Sequence, residues 1–114
     1  MDFDSHRIGD AGAAALAEAL KSNQTLQILN VGINEIGDNG AIAIGEALKV
    51  NKTLKTLDLY YNQIGDNGAI AIGEALMKNK MITHFRIVSN NFGEVGKATL
   101  EKAKNSRRFE YFQI

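Results

Sequence analysis

The sequence predicts an α/β solenoid with a curved parallel sheet and an outer layer of helices. Two observations carry that prediction. The stretch IGDNGAIAIGEAL occurs twice without change, at Ile36–Leu48 and Ile64–Leu76, and subtracting position 36 from position 64 gives a 28-residue period. Periods of this length mark repeat architectures, in which each unit buries its apolar faces only by stacking on its neighbours. Each unit also switches its apolar spacing partway, from the alternation of a strand to the spacing of a helix.

The units follow in order within one domain, residues 1–114. A truncated unit covers residues 1–24. TLQILNVGINEIGDNGAIAIGEALKVNK covers 25–52, and TLKTLDLYYNQIGDNGAIAIGEALMKNK covers 53–80. A degenerate unit covers 81–107, and RFEYFQI supplies a partial strand in 108–114. In the unit from Thr53, Leu54, Leu57 and Leu59 define a strand whose Leu57 and Leu59 share one side. Asp66 is expected to cap the helix that follows. Ala69, Ile72 and Leu76 then form one helix face. Lys78 suits the helix end because a cation there complements the dipole. Asn79 is expected to take a left-handed turn. Ala41, Ile44 and Leu48 repeat this pattern, as do Ala13, Leu16 and Leu20. The small side chains Ala41, Ala43 and Ala47 permit close helix contact. Phe112 and Ile114 align with Leu57 and Leu59 if the unit from Met81 is one residue short.

Composition removes several functional classes. Thirteen basic and thirteen acidic side chains leave no net charge, so the basic excess expected of a nucleic-acid binder is missing. Cysteine is absent, which excludes disulfides and thiolate metal sites. His6 and His84 lie far apart, and neither has a partner at ligand spacing. No apolar run is long enough to span a membrane. The N-terminus has no basic, apolar leader. A cytoplasmic chain without cofactor follows as the expectation. Asp4 and Asp58 are carboxylates without a nucleophile or base to complete a catalytic set. The glycines of IGDNG lack the lysine of a phosphate loop. No enzyme is expected.

L-x-x-L-x-L-x-x-N-x-I-G-D-x-G-A, read from Leu54, Leu57, Leu59, Asn62, Ile64, Gly65, Asp66 and Gly68, resembles the ribonuclease-inhibitor class of leucine-rich repeats. Leu26, Leu29, Val31, Asn34, Ile36, Gly37, Asp38 and Gly40 fit the same pattern. The resemblance implies a right-handed β-α superhelix. That class includes the ribonuclease inhibitor, Ran GTPase-activating proteins, sensor domains of innate-immune receptors and the tropomodulin C-terminal domain. Leu48–Leu59 and Asn105–Ile114 are similar to the last tropomodulin repeats. Regulation of actin or of a small GTPase is what those likenesses imply. The resemblance also implies that Asn34, Asn62 and Asn90 bond backbone groups where the chain leaves each strand. His6 holds that position in the first unit.

Strand alternation directs Ile28, Asn30 and Gly32 away from the core, then Thr56, Asp58 and Tyr60, then His84, Arg86 and Val88. Tyr111 and Gln113 extend the rows. These positions line the concave face that solenoids use for binding. Asn30, Thr56, Asp58, Tyr60, Tyr61, His84, Arg86 and Tyr111 are the expected protein-binding residues; Tyr and Arg are enriched at binding hot spots. The expected function is therefore a non-catalytic protein-interaction module with a protein partner, and no nucleic-acid or membrane ligand.

A self-associating fragment of a longer repeat array is the competing expectation. Ile42 and Ile70 lie one position beyond the buried helix face and, with Ala14 and Ala98, form an apolar stripe. The ends of the stack differ. KATLEKAKNSRR is a charged terminal helix, and Phe109, Tyr111 and Phe112 are expected to close the core beside it. Met1 is expected inside a strand with an open edge, which invites pairing.

Overall fold

The computed structural model describes residues 1–114. Helices and strands alternate: α1 (Gly9–Ser22), β1 (Ile28–Asn30), α2 (Asp38–Leu48), β2 (Thr56–Asp58), α3 (Asp66–Lys78), β3 (His84–Arg86), α4 (Glu94–Ser106) and β4 (Tyr111–Gln113). The strands form one parallel sheet in the order β1-β2-β3-β4. Helices cover one of its faces, and the other is open.

The pairing register reproduces the sequence repeat. Leu29 lies opposite Leu57, Leu57 opposite Phe85, and Phe85 opposite Phe112. Tyr111 pairs with His84, a step one residue shorter than the step from Thr56 to His84. The fourth unit is thus one residue short. In each three-residue strand the central side chain turns toward the core while its neighbours face out. Leu29, Leu57 and Phe85 are fully or almost fully buried. Ala41, Ile44 and Leu48 on α2, and Ala69, Ile72 and Leu76 on α3, pack against them. Phe85 and Phe112 stack with ring centroids 5.1 Å apart, and Phe109 meets Phe112 at 4.8 Å. Those two phenylalanines close the core; Tyr111 points out and does not.

Three expectations need correction. Asp66 does not cap its own helix. Its Oδ1 accepts the N–H groups of Gly93 and Gly96, at 2.7 and 2.9 Å, at the start of α4 in the next unit. Asp10 does the same for Gly37 and Gly40, and Asp38 for Gly65 and Gly68. The geometry requires glycine: a Cβ on Gly68 would lie 2.8 Å from Asp38 Oδ1.

Asn79 adopts no left-handed turn, since its φ is −77°. Its side chain is buried and donates to Leu48 O and Asn51 O, while Oδ1 accepts from the N–H groups of Met81 and Ile82. Asn51 bonds Leu20 O and Asn23 O in the same way. Arg107 takes this place in the fourth unit and stacks over Phe109 at 3.8 Å. Burial lowers the pKa of its guanidinium.

Met1 does not sit inside a strand. The first unit pairs with β1 through one bridge, between Asp2 and Asn30. The Phe3 N–H donates to Asn30 O, and the Asn30 N–H to Met1 O. A single bridged residue is too short to make a strand.

Candidate functional site

The open sheet face carries two registered rows of side chains. Ile28, Thr56, His84 and Tyr111 form one, and Asn30, Asp58, Arg86 and Gln113 the other. Gly32 and Tyr60 follow beyond the strand ends. Ile28 and Tyr111 are exposed, whereas Asn30, Thr56, Asp58, Tyr60, His84 and Arg86 are half-buried.

Three of these side chains, Asp58, Tyr60 and Arg86, are coupled with Asp4 of the first unit. Arg86 Nε donates to Asp58 Oδ2 at 2.9 Å, and Nη2 bonds the same oxygen. The Arg86 guanidinium lies over the Tyr60 ring, 4.0 Å from its centroid. The Tyr60 hydroxyl donates to Asp4 Oδ2 at 3.0 Å. Asp58 Oδ1 also accepts the Tyr60 N–H, which fixes the backbone under the ring. Gly32 faces the same side as Tyr60 and is buried beneath its ring; a Cβ there would sit 2.1 Å from Tyr60 Cε1.

The electrostatics follow from these contacts. The hydrogen bond to Asp4 raises the Tyr60 phenol above its ordinary value, with desolvation adding to it. The hydrogen bond to Asp58 raises Arg86 further. Ion pairing and stacking together hold Arg86 in one orientation, as its planar fork allows. With two carboxylates and one guanidinium, the cluster carries a net negative charge. At one side of it, His84 Nε2 lies 3.5 Å from Glu110 Oε2, and Thr83 Oγ1 is 2.9 Å from His84 Nδ1. The Tyr111 hydroxyl donates to Gln113 Oε1 at 2.9 Å.

Tyr61 does not share this face. It sits in the turn leaving β2 with a φ of 54°, and is 62% exposed. That left-handed conformation turns the side chain out of the strand alternation. Ser5, Ile33 and Ser89 adopt the same conformation in the other units. Tyr61, Ile33, Arg7 and Glu35 line a shallow depression along that edge.

The asparagines at positions 34, 62 and 90 lie beneath these turns. Asn62 Oδ1 accepts the N–H groups of Asn34 and Ile36, and Nδ2 donates to Val31 O, Leu59 O and Tyr60 O. Asn34 accepts from His6 and Ile8, and Asn90 from Ile64. His6 does not reach this network through its ring, which contacts Asp4 O. On the helix layer, Ile42 is 37% exposed and Ile70 is half-buried. No group of three His, Cys, Asp or Glu side chains is placed to hold a metal. No helix is long and apolar enough to cross a membrane.

A family model described as Leucine Rich repeat matches residues 2–17, 22–45 and 50–73, more than half of the chain. The chain belongs to the leucine-rich repeat family. Among solved structures, this repeat chain is similar to one described as "Leiomodin-1 Actin-Binding Site 2 (ABS2)". The match has a TM-score of 0.86 and covers 97% of this chain and 68% of that chain, at 24% identity. At that identity the likeness speaks for the fold. A search of curated proteins finds no match. Sequence reasoning missed two side-chain roles in these repeats: the aspartates that cap the following helix, and Asn51 and Asn79 between helix and strand. Their signal was recurrence at the repeat period.

Proposed function

We propose that this leucine-rich repeat chain is a non-catalytic protein-interaction module of the cytoplasm, engaging a protein partner through its concave strand face. The supporting observation is the fixed cluster Asp4–Tyr60–Arg86–Asp58. Tyr and Arg dominate binding energetics at interfaces, and holding them in place beforehand lowers the entropy lost on association. Asn30, Thr56, His84 and Tyr111 flank the cluster and extend the surface. The net negative charge of the cluster suits a partner with cationic or hydrogen-donating groups.

A photo-crosslinking residue placed at Thr56 or Tyr111 is expected to capture the partner, and one at exposed Glu74 on α3 to leave it uncaptured. Crosslinks arising only from position 74 would overturn the reading.

A second reading rests on the structural likeness to the leiomodin-1 actin-binding site, and names actin as the partner. Cosedimentation with actin filaments, together with gel filtration with monomeric actin, tests it. Saturable binding to either form supports this reading. Binding to neither removes actin while leaving the concave-face proposal standing.

A further inference from the structure

Zero net charge conceals a strong separation of charge. In every unit the chain leaves the helix and re-enters the sheet along one edge, and leaves the sheet for the helix along the opposite edge. The acidic helix starts, Asp10, Asp38, Asp66 and Glu94, all lie on the second edge. The first edge is basic: Lys78 ends α3, and the segments after α2 and α3 carry Lys49, Lys52, Lys55 and Lys80 with no acid among them, Glu110 before β4 being the acid on this side.

Part of this has a local reason. Lys49 pairs with Glu46 at 3.2 Å, and Lys80 donates to Met77 O at the end of α3. Lysines at helix ends also offset the helix dipole. Lys78 ends α3 and has that role, whereas Lys52 and Lys55 lie beyond the helix ends. All three are exposed, and none forms an ion pair.

These lysines surround two adjoining depressions that share Lys80 and Met81. One is lined by Lys49, Lys52 and Lys78, and the other by Lys55 and His84 together with one acid, Glu110, which lies against His84. Met81, 38% exposed, lies between them. Val50 and Ile28 are also exposed near the same edge. The surface therefore combines unpaired cations with apolar side chains.

We propose that this basic edge is a second docking surface, taking an acidic polypeptide segment whose carboxylates are interspersed with apolar side chains. Unpaired like charges raise the local potential and attract the opposite charge. The apolar residues between the lysines favour a polypeptide over nucleic acid. Nucleic-acid surfaces pair cations with aromatic platforms on which bases stack, and the lysine depressions contain no Phe, Tyr or Trp, His84 being engaged by Thr83 and Glu110. This edge adjoins the concave face, with Ile28, Thr56 and His84 bordering both, while the Tyr60–Arg86 cluster lies outside the two depressions.

The test is fluorescence anisotropy with a labelled peptide of about sixteen residues, Glu and Asp with Leu at every third or fourth position. A peptide with Lys in place of the acids, and an oligothymidylate of similar length, are the controls. The acidic peptide is expected to bind saturably. Its affinity should fall roughly tenfold in the Lys52→Gln/Lys55→Gln/Lys78→Gln variant, and again as salt rises from about 50 to about 300 mM. The corresponding Lys→Arg triple variant, which keeps the charge, should retain binding. Tyr60→Ala/Arg86→Ala should bind the peptide as the parent does, which separates this surface from the concave one. The proposal is overturned by absence of saturable binding, by equal affinity in the Gln triple variant, or by tighter binding of the oligothymidylate.

Discussion

Asp10, Asp38 and Asp66 each sit in the first turn of one helix and cap the next. The recurrence was legible in the sequence, but the direction was not. An aspartate at a helix start reads as the cap of its own helix, and only the stacking distance between units shows which N–H groups it reaches. Because Asp38 Oδ1 accepts from both Gly65 and Gly68, Asp38→Ala should destabilise the fold by about 1–2 kcal/mol in urea denaturation. Asn62 is a heavier loss. It is buried and satisfies two N–H and three C=O groups. Asn62→Ala should cost roughly 3 kcal/mol or more, since each stranded backbone group carries its own desolvation penalty. Tyr60 supplies a pH test. Its pKa is raised above 10.0, chiefly by the hydrogen bond to Asp4. A group held protonated in the fold contributes stability below the unfolded pKa, and that contribution is lost as pH rises through the folded value. Ultraviolet titration should therefore show Tyr60 ionising at lower pH in Asp4→Ala than in the parent.

Strands and helices were the most legible elements, because the change from alternation to helical spacing is strong in each unit. The turns between them were not legible. Ile33 takes a φ of 55° although it is β-branched, and Tyr61 follows the same path one unit later. Nothing in the local sequence announces a left-handed residue at Ile33 or Tyr61. The conformation is imposed by the asparagine beneath the turn, whose bonds fix the backbone regardless of the side chain above it. Tyr61 is expected on the concave face, and the left-handed turn takes it off. The strain makes a prediction for this element. Ile33 is 39% exposed, so its burial is partial and relief of the strain is expected to outweigh the burial lost on substitution. Ile33→Asn, which tolerates the left-handed region, should raise stability by about 1 kcal/mol in the same denaturation assay. A decrease would mean that Ile33 packing outweighs the strain.

At the scale of the whole molecule, the stack presents four surfaces: a helix layer, a concave strand face, a basic edge and the opposite edge that carries Tyr61. The positions of the concave rows were legible from strand alternation alone, as the pairing of Thr56 with His84 and Asp58 with Arg86 illustrates. What joins them was not. Asp4 and Tyr60 lie 56 residues apart in sequence, and their bond depends on Gly32 leaving room for the ring. Charge separation was equally hidden, because thirteen charges of each sign cancel in the sum. The account rests on the concave cluster as the place where a protein partner binds. Calorimetric titration of the crosslinked partner, once identified, into the parent chain and into Tyr60→Ala/Arg86→Ala tests that most directly. The account predicts that the double variant stays folded and loses affinity by roughly 2 kcal/mol or more; unchanged affinity in a folded double variant would contradict it.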